Sequence, residues 1–297
     1  MVAFPLPPKA IEAGYRVIGF DTVGSTNAEA MNAALAGDAG KIWFAALQQT
    51  EGRGRRGRKW ENPHGNLAAS LLIVPDAPAA NLASLGFVAG VALNAALARL
   101  MPAASIRSGI DGADGAWSGK VGDFSGSTAR QDENSTSATG RARIALKWPN
   151  DLLADGAKLA GILLEAQKRP DGKTAIVIGI GVNVVAAPEG LPYPATSLAA
   201  LGARFDAAAV FEALAESWVE CYQKWNNGQG TADIIRAWRG SAAGIGTEVA
   251  VQRNDGVLRG VFETIDDAGH LIVRDDEGHR IAIAAGDVHF GTTATLR

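Results

Sequence analysis

Cysteine is almost missing: Cys221 is the only one in 297 residues. A single thiol excludes any intrachain disulfide, so the apolar core must hold the fold, and a reducing, cytoplasmic setting is expected. Histidine is scarce as well. His64, His270, His279 and His289 show neither H-x-x-x-H nor C-x-x-C spacing, which argues against a metal site built by the protein alone. The first fifteen residues contain three prolines and no apolar run of signal-peptide type. No stretch is expected to reach the ~20 apolar residues of a membrane span, so no membrane partner is expected either. A charge surplus is also lacking. With 28 basic and 31 acidic residues the net charge is −3, unlike that of a general nucleic-acid coater. What the chain does have is 47% hydrophobic residues, enough for a sizeable core, and a length that suits one large domain plus a small one.

Against this balance, Gly52-Arg53-Gly54-Arg55-Arg56-Gly57-Arg58-Lys59-Trp60 places five cations and three glycines in nine residues. The glycines permit positive φ and close backbone approach, which reads as a loop. The arginines supply planar forks for carboxylate or phosphate oxygens. The run does not match G-x-x-x-x-G-K-[ST]. By itself it fits a solvated basic turn, a nucleic-acid patch or an anion cradle built from main-chain N–H groups. The mildly acidic whole favours a small anionic ligand.

The rest of the chain divides by pattern. Val17–Asp21 reads as a strand, followed by cap-type residues Ser25-Thr26-Asn27 and a helix over Ala28–Leu35. Ile42–Leu47 and Leu67–Val74 read as buried strands. Asn81 is expected to cap a helix whose apolar residues, from Leu82 to Leu100, recur at helical spacing until Pro102. Residues 107–143, rich in Gly, Ser, Thr, Asp and Asn, read as a flexible insertion that Trp117 and Phe124 could dock. Lys147-Trp148-Pro149-Asn150-Asp151 then joins two strands through a turn, and Lys147 is either a snorkelling surface residue or an ammonium directed into a site. Lys158–Glu165 and Thr174–Val185 are strand-like. The second holds Gly179-Ile180-Gly181-Val182-Asn183, a G-x-G without the third glycine of a dinucleotide fingerprint. Asp206 is expected to cap a helix reaching about Asn226 on which Cys221 packs, and a short helix covers Asp233–Arg239. After Gly246 the period becomes two, with turns at Asn254-Asp255-Gly256, Asp267-Ala268-Gly269 and Asp276-Glu277-Gly278, which suggests a small SH3-like β-barrel.

Together these runs resemble the biotin protein ligases. The resemblance rests on Ser25-Thr26-Asn27, Gln49 through Trp60, Lys147 through Asp151, Lys158 through Glu165, Gly179 through Asn183, Thr196-Ser197-Leu198 and the closing Ala285-Gly286-Asp287-Val288. It implies an α+β fold: a class II synthetase-like catalytic domain over 1–240, made of a mixed or antiparallel sheet with helices on one side, and an SH3-like barrel over 245–297. It also implies a two-step reaction, in which biotin is activated by ATP to biotinyl-5′-AMP and then passed to a lysine of a biotin carboxyl carrier domain. By the same resemblance, Lys147 and Arg55 are catalytic. Biotin is expected on Ser25, Thr26, Asn27, Gln49, Gly52, Arg53, Gly54, Arg55, Lys147, Gly161, Gly179 and Gly181. Gly179 and Gly181 would leave room for its rings. The nucleotide is expected on Arg55, Arg58, Trp60, Lys147, Asn150 and Asn183. Mg²⁺ would arrive with ATP rather than in a protein cage, with Asp151 and Glu165 as indirect partners.

Family members that repress transcription carry an N-terminal helix-turn-helix domain. Only some 15 residues precede the first strand here, so DNA binding is not expected. Family members often dimerise edge to edge through their sheets, which leaves a homodimer open. The nearest alternative is a lipoate or octanoate ligase or transferase of the same fold. A nucleic-acid module or a non-catalytic biotin sensor is a more distant one.

Overall fold

The computed structural model describes residues 2–101, 142–253 and 256–290. The expected insertion therefore lies, except for Ala142 and Arg143, outside the described residues, as do Pro102, Trp117, Phe124, Asn254 and Asp255.

A seven-stranded sheet forms the frame. Its strands are β1 (Arg16–Val23), β2 (Ile42–Gln49), β3 (Leu67–Ile73), β4 (Ile144–Lys147), β5 (Asp151–Ala154), β6 (Ala157–Lys168) and β7 (Thr174–Val182), in the order β1-β2-β3-β7-β6-β5-β4. Only β1 and β2 run parallel; every other neighbouring pair is antiparallel. Interior β3 is apolar at six of its seven positions and buried along its whole length, as expected of a strand covered on both faces.

Helices cover both faces, not one as the resemblance implied. Alternation along β2 points Trp43 and Ala45 one way, and Ile42 and Phe44 the other. On the Trp43 side lie α3 (Leu85–Leu100) and α4 (Ala207–Trp225). Trp43 meets Phe211 and Trp218 of α4 edge to face, with centroids 5.6 and 6.3 Å apart. The Ile42 and Phe44 side is covered by α2 (Thr26–Leu35), through Ala30 and Ala34. The physical reason is connectivity. Two adjacent parallel strands need a crossover, and α2 supplies it between β1 and β2.

Two further differences concern α3. Asn81 does not cap it; Asn81 sits inside a 3-10 segment, Ala79–Ser84, that precedes the helix, and its Nδ2 donates to Asn227 O. The continuous stretch Ala79–Leu100 is also long and apolar enough to cross a membrane by length and composition, contrary to the expectation that no run would be. Here that apolarity faces the core: Leu85, Val88, Ala89, Ala92, Leu93, Ala96 and Leu97 are all fully buried. Cys221 packs on α4, where burial pushes its thiol up to about 11, fitting a packing role.

A second, antiparallel sheet follows α5 (Thr231–Gly240). Its strands are β8 (Glu248–Arg253), β9 (Gly256–Ile265), β10 (Leu271–Arg274), β11 (Arg280–Ile283) and β12 (Asp287–Phe290), in the order β11-β10-β9-β8-β12. It is locked to the first sheet near the Lys147–Asp151 turn. Trp148 Nε1 donates directly to Gly269 O at 2.9 Å, while the end of α5 acts as a go-between: Leu146 N donates to Ser241 O at 2.7 Å, and Arg239 Nε to Ile265 O at 2.7 Å.

Beyond β7 the chain turns back along the sheet, and one buried side chain sets that turn. Asn66 Oδ1 accepts from Val184 N, Val185 N and Ala186 N at 2.9, 2.9 and 3.2 Å, and its Nδ2 donates to Ala186 O at 2.7 Å. Asn66→Ala would strand three backbone donors. Chemical denaturation should show a loss of roughly 3 kcal/mol or more.

Candidate active site

The elements enclose a cavity of about 810 Å³ lined by the start of α2, the end of β2, the basic loop, the β4–β5 turn, β6, β7, residues 191–194 and β12. The basic loop is built, not splayed. Gly54 N donates to Arg58 O at 2.7 Å, Trp60 N to Gly52 O at 2.9 Å, and Arg53 bridges Lys59. Arg55–Gly57 form one 3-10 turn in which Arg56 and Gly57 adopt positive φ, 56° and 71°.

Glycines explain how closely this loop approaches the sheet. A Cβ on Gly181 would lie 2.5 Å from the Trp60 ring, and one on Gly161 would lie 3.1 Å from it. The indole therefore rests on bare backbone of β6 and β7. Gly179 makes the same allowance for Asn27, whose Oδ1 would sit 2.3 Å from an added Cβ. Gly179 and Gly181 also line the cavity. Gly52 is not part of the cavity lining; it lets the two ends of the loop pair, since a Cβ there would lie 2.4 Å from Trp60 O.

Cations gather on one side, each with a nearby anion or ring. Lys158 Nζ pairs with Asp151 Oδ1 at 2.9 Å and lies 5.5 Å from the ring centroids of both Trp60 and Tyr193. Lys147 Nζ lies 5.5 Å from the Phe290 ring. Burial pushes the Lys147 pKa down; Asp151 opposes that shift and Lys158 adds to it. Arg55 is likewise lowered by burial, and its Nη1 donates to Asn150 Oδ1 at 3.2 Å. Asp287, from the second sheet, faces three arginines: Arg58 at 2.7 Å, Arg56 at 3.0 Å and Arg55 at 3.7 Å. His289 lines the same wall, its pKa lowered by burial and then by Lys147.

At the opposite end the groups are neutral. Ser25 caps α2, accepting from Ala28 N at 3.4 Å. Gln49 Oε1 accepts from Thr26 N at 2.8 Å and lies 3.0 Å from Thr26 Oγ1.

Of the expected site residues, Ser25, Thr26, Asn27, Gln49, Arg53, Gly54, Arg55, Arg58, Trp60, Lys147, Asn150, Gly161, Gly179 and Gly181 all line this one cavity. Asn183, expected at the nucleotide, is not among the lining residues. It is buried, and its Nδ2 donates to Thr196 O at 3.0 Å, tying the end of β7 to the next segment. Asp151 and Glu165, expected near Mg²⁺, are committed to Lys158 and to Asn27 Nδ2 respectively. Sequence reasoning missed Lys158, Tyr193, Asp287, His289 and Phe290. Lys158 and Asp287 stood within quoted runs; nothing in the pattern marked Tyr193.

Comparison with known proteins agrees with this geometry. Residues 33–183 match the biotin/lipoate A/B protein ligase family, and residues 244–291 match the biotin protein ligase C-terminal domain. The biotin–[acetyl-CoA-carboxylase] ligase of Paracoccus denitrificans is 34% identical over 273 residues, covering 90% of this chain and 97% of that protein. The chain belongs to the biotin protein ligase family. The corresponding ligase of Mycobacterium tuberculosis is 31% identical over 89% of this chain and 85% of its own length. In fold, the chain is similar to the Aquifex aeolicus biotin protein ligase solved in complex with biotin and ATP, with TM-score 0.69 and 23% identity over 93% of this chain and 98% of that one.

In this family member the basic loop is fastened by a carboxylate from the other sheet. Asp287→Asn should loosen it. Limited trypsin digestion should then cut between Arg53 and Lys59 about three to ten times faster than in the parent, a modest factor because Arg56 and Arg58 are partly solvated.

Proposed function

We propose that this cavity activates biotin at the expense of ATP and passes it to a lysine of a biotin carboxyl carrier domain. A biotin carboxylate oxygen attacks the α-phosphorus, the O–P bond to pyrophosphate breaks, and biotinyl-5′-adenylate remains. The acceptor amine then attacks the acyl carbon and AMP leaves. The first step brings an anion up to an anion, so it needs fixed cations where the charge develops. The observation that carries the reading is the convergence of Lys147, Lys158 and Arg55 on one cavity.

Two ammonium groups flank the reacting centre, so bridging carboxylate and α-phosphate need not fall to Lys147 alone. Lys158, beside Gly161 and Trp60, faces the acid; Lys147, beside Phe290 and His289, faces the phosphates. Gln49 spends its carbonyl on Thr26, which leaves the two donors of Nε2 for the ureido oxygen. Mg²⁺ would enter with ATP, held chiefly by the nucleotide's own phosphates. The C-terminal domain match favours biotin over lipoate or octanoate.

ATP–pyrophosphate exchange with biotin, lipoate and octanoate in parallel tests this reading. Exchange with biotin alone is expected; exchange with the other acids would move the assignment to the sister enzymes. Lys147→Ala and Lys158→Ala should each lower exchange about a hundredfold or more. The depressed Lys147 pKa carries a sign. The ammonium is the useful form, and it is lost as pH rises through a value below that of an ordinary lysine. The alkaline limb of kcat/KM for exchange should therefore fall below ~10.4, and Lys147→Arg should move it upward.

A further inference from the structure

Glu165 on β6 takes no part in either chemical step, yet it is tied into the wall of the cavity. Its Oε2 accepts from Asn27 Nδ2 at 2.6 Å. A carboxylate offers acceptors only, so the face that Asn27 turns toward it must be the NH₂. This directs Asn27 Oδ1 to Ser70 Oγ, 2.5 Å away. An amide oxygen cannot donate, so the single Ser70 proton is spent there. Ser70 Oγ also lies 2.7 Å from Thr26 Oγ1, and Thr26 Oγ1 lies 3.0 Å from Gln49 Oε1. With its own proton spent, Ser70 Oγ can only accept across the 2.7 Å contact, so the Thr26 proton goes inward to Ser70 and a Thr26 lone pair is left for the cavity. Gln49 Oε1 is held by Thr26 N–H, which leaves Nε2 as a donor. Ser70 is fully buried and Thr26 and Asn27 nearly so, so water does not scramble this order.

We propose that Glu165 is a positioning residue that acts through Asn27 and Ser70 to fix one acceptor, Thr26 Oγ1, beside one donor, Gln49 Nε2, and so selects a urea at this end of the cavity. A cyclic urea presents N–H beside C=O and matches both groups. A dithiolane or an alkyl chain matches neither, and would leave the pair unsatisfied in a dry site. The proposal rests on the assignment of biotin to this cavity. The space above Gly179 is part of the device, because only an absent Cβ admits the Asn27 amide.

The test is initial-rate pyrophosphate exchange with biotin and ATP varied separately, on the full chain and on Glu165→Ala, Glu165→Gln and Ser70→Ala, with thermal midpoints measured alongside. Glu165→Ala should raise KM for biotin about tenfold while KM for ATP stays within about twofold. Glu165→Gln should restore it, since its Oε1 accepts the same N–H. Ser70→Ala breaks the next link, should reproduce the biotin-only shift, and carries the test if Glu165→Ala does not fold. An unshifted KM for biotin in the alanine variants, or biotin and ATP constants rising together without rescue by Gln, would overturn the relay. Absence of exchange in the parent protein would overturn the biotin assignment itself, a separate failure.

Discussion

Two aspartates make the active site physically possible. Lys147, Lys158, Arg55, Arg56 and Arg58 would repel one another and resist leaving water if gathered alone. Asp151 holds Lys158 from within the first sheet, and Asp287 faces the three arginines from the second. The residual strain shows in Lys147, whose charge is disfavoured by burial more than Asp151 restores it. Such a site is electrostatically poised. Its cations are arranged before a triphosphate arrives, so little reorganisation is left for the reaction itself.

This charge arrangement explains why two sheets of different architecture act as one unit. The second sheet contributes Asp287, His289 and Phe290 to the cavity wall, and it is bolted to the Lys147–Asp151 turn through Trp148 and Gly269. Moving the small sheet would shift the counterion of the basic loop and the ring beside Lys147 together. The glycines perform the complementary task on the large sheet. They remove side chains from β6 and β7 so that Trp60 and Asn27 can close onto the backbone.

Much of this was legible in the sequence. The strands, the amphipathic α4, the caps at Ser25 and Asp206 and the turn after Lys147 follow from periodicity and local chemistry. The side of the sheet taken by α2 did not, because it depends on β1 and β2 being parallel, a pairing no local pattern encodes. The site was legible where a residue type is unusual in its place, as with arginines among glycines. Asn183, an asparagine beside G-x-G that suggested a ligand contact, lies outside the cavity lining, with its Nδ2 on the backbone of a returning segment. Asp287 and Tyr193 reach the cavity from segments distant in sequence, one with many exposed carboxylates as competitors, the other between prolines. Their roles arise from tertiary placement alone.

The central claim is that these cations join a biotin carboxylate to the α-phosphate of ATP within one cavity. Its most direct measurement is a single-turnover reaction of the purified protein with biotin, ATP and Mg²⁺, without acceptor, followed by gel filtration and mass spectrometry of the bound small molecules. The account predicts close to one equivalent of biotinyl-5′-adenylate retained per protein chain. Recovery of unreacted biotin and ATP from active-quality protein would contradict it.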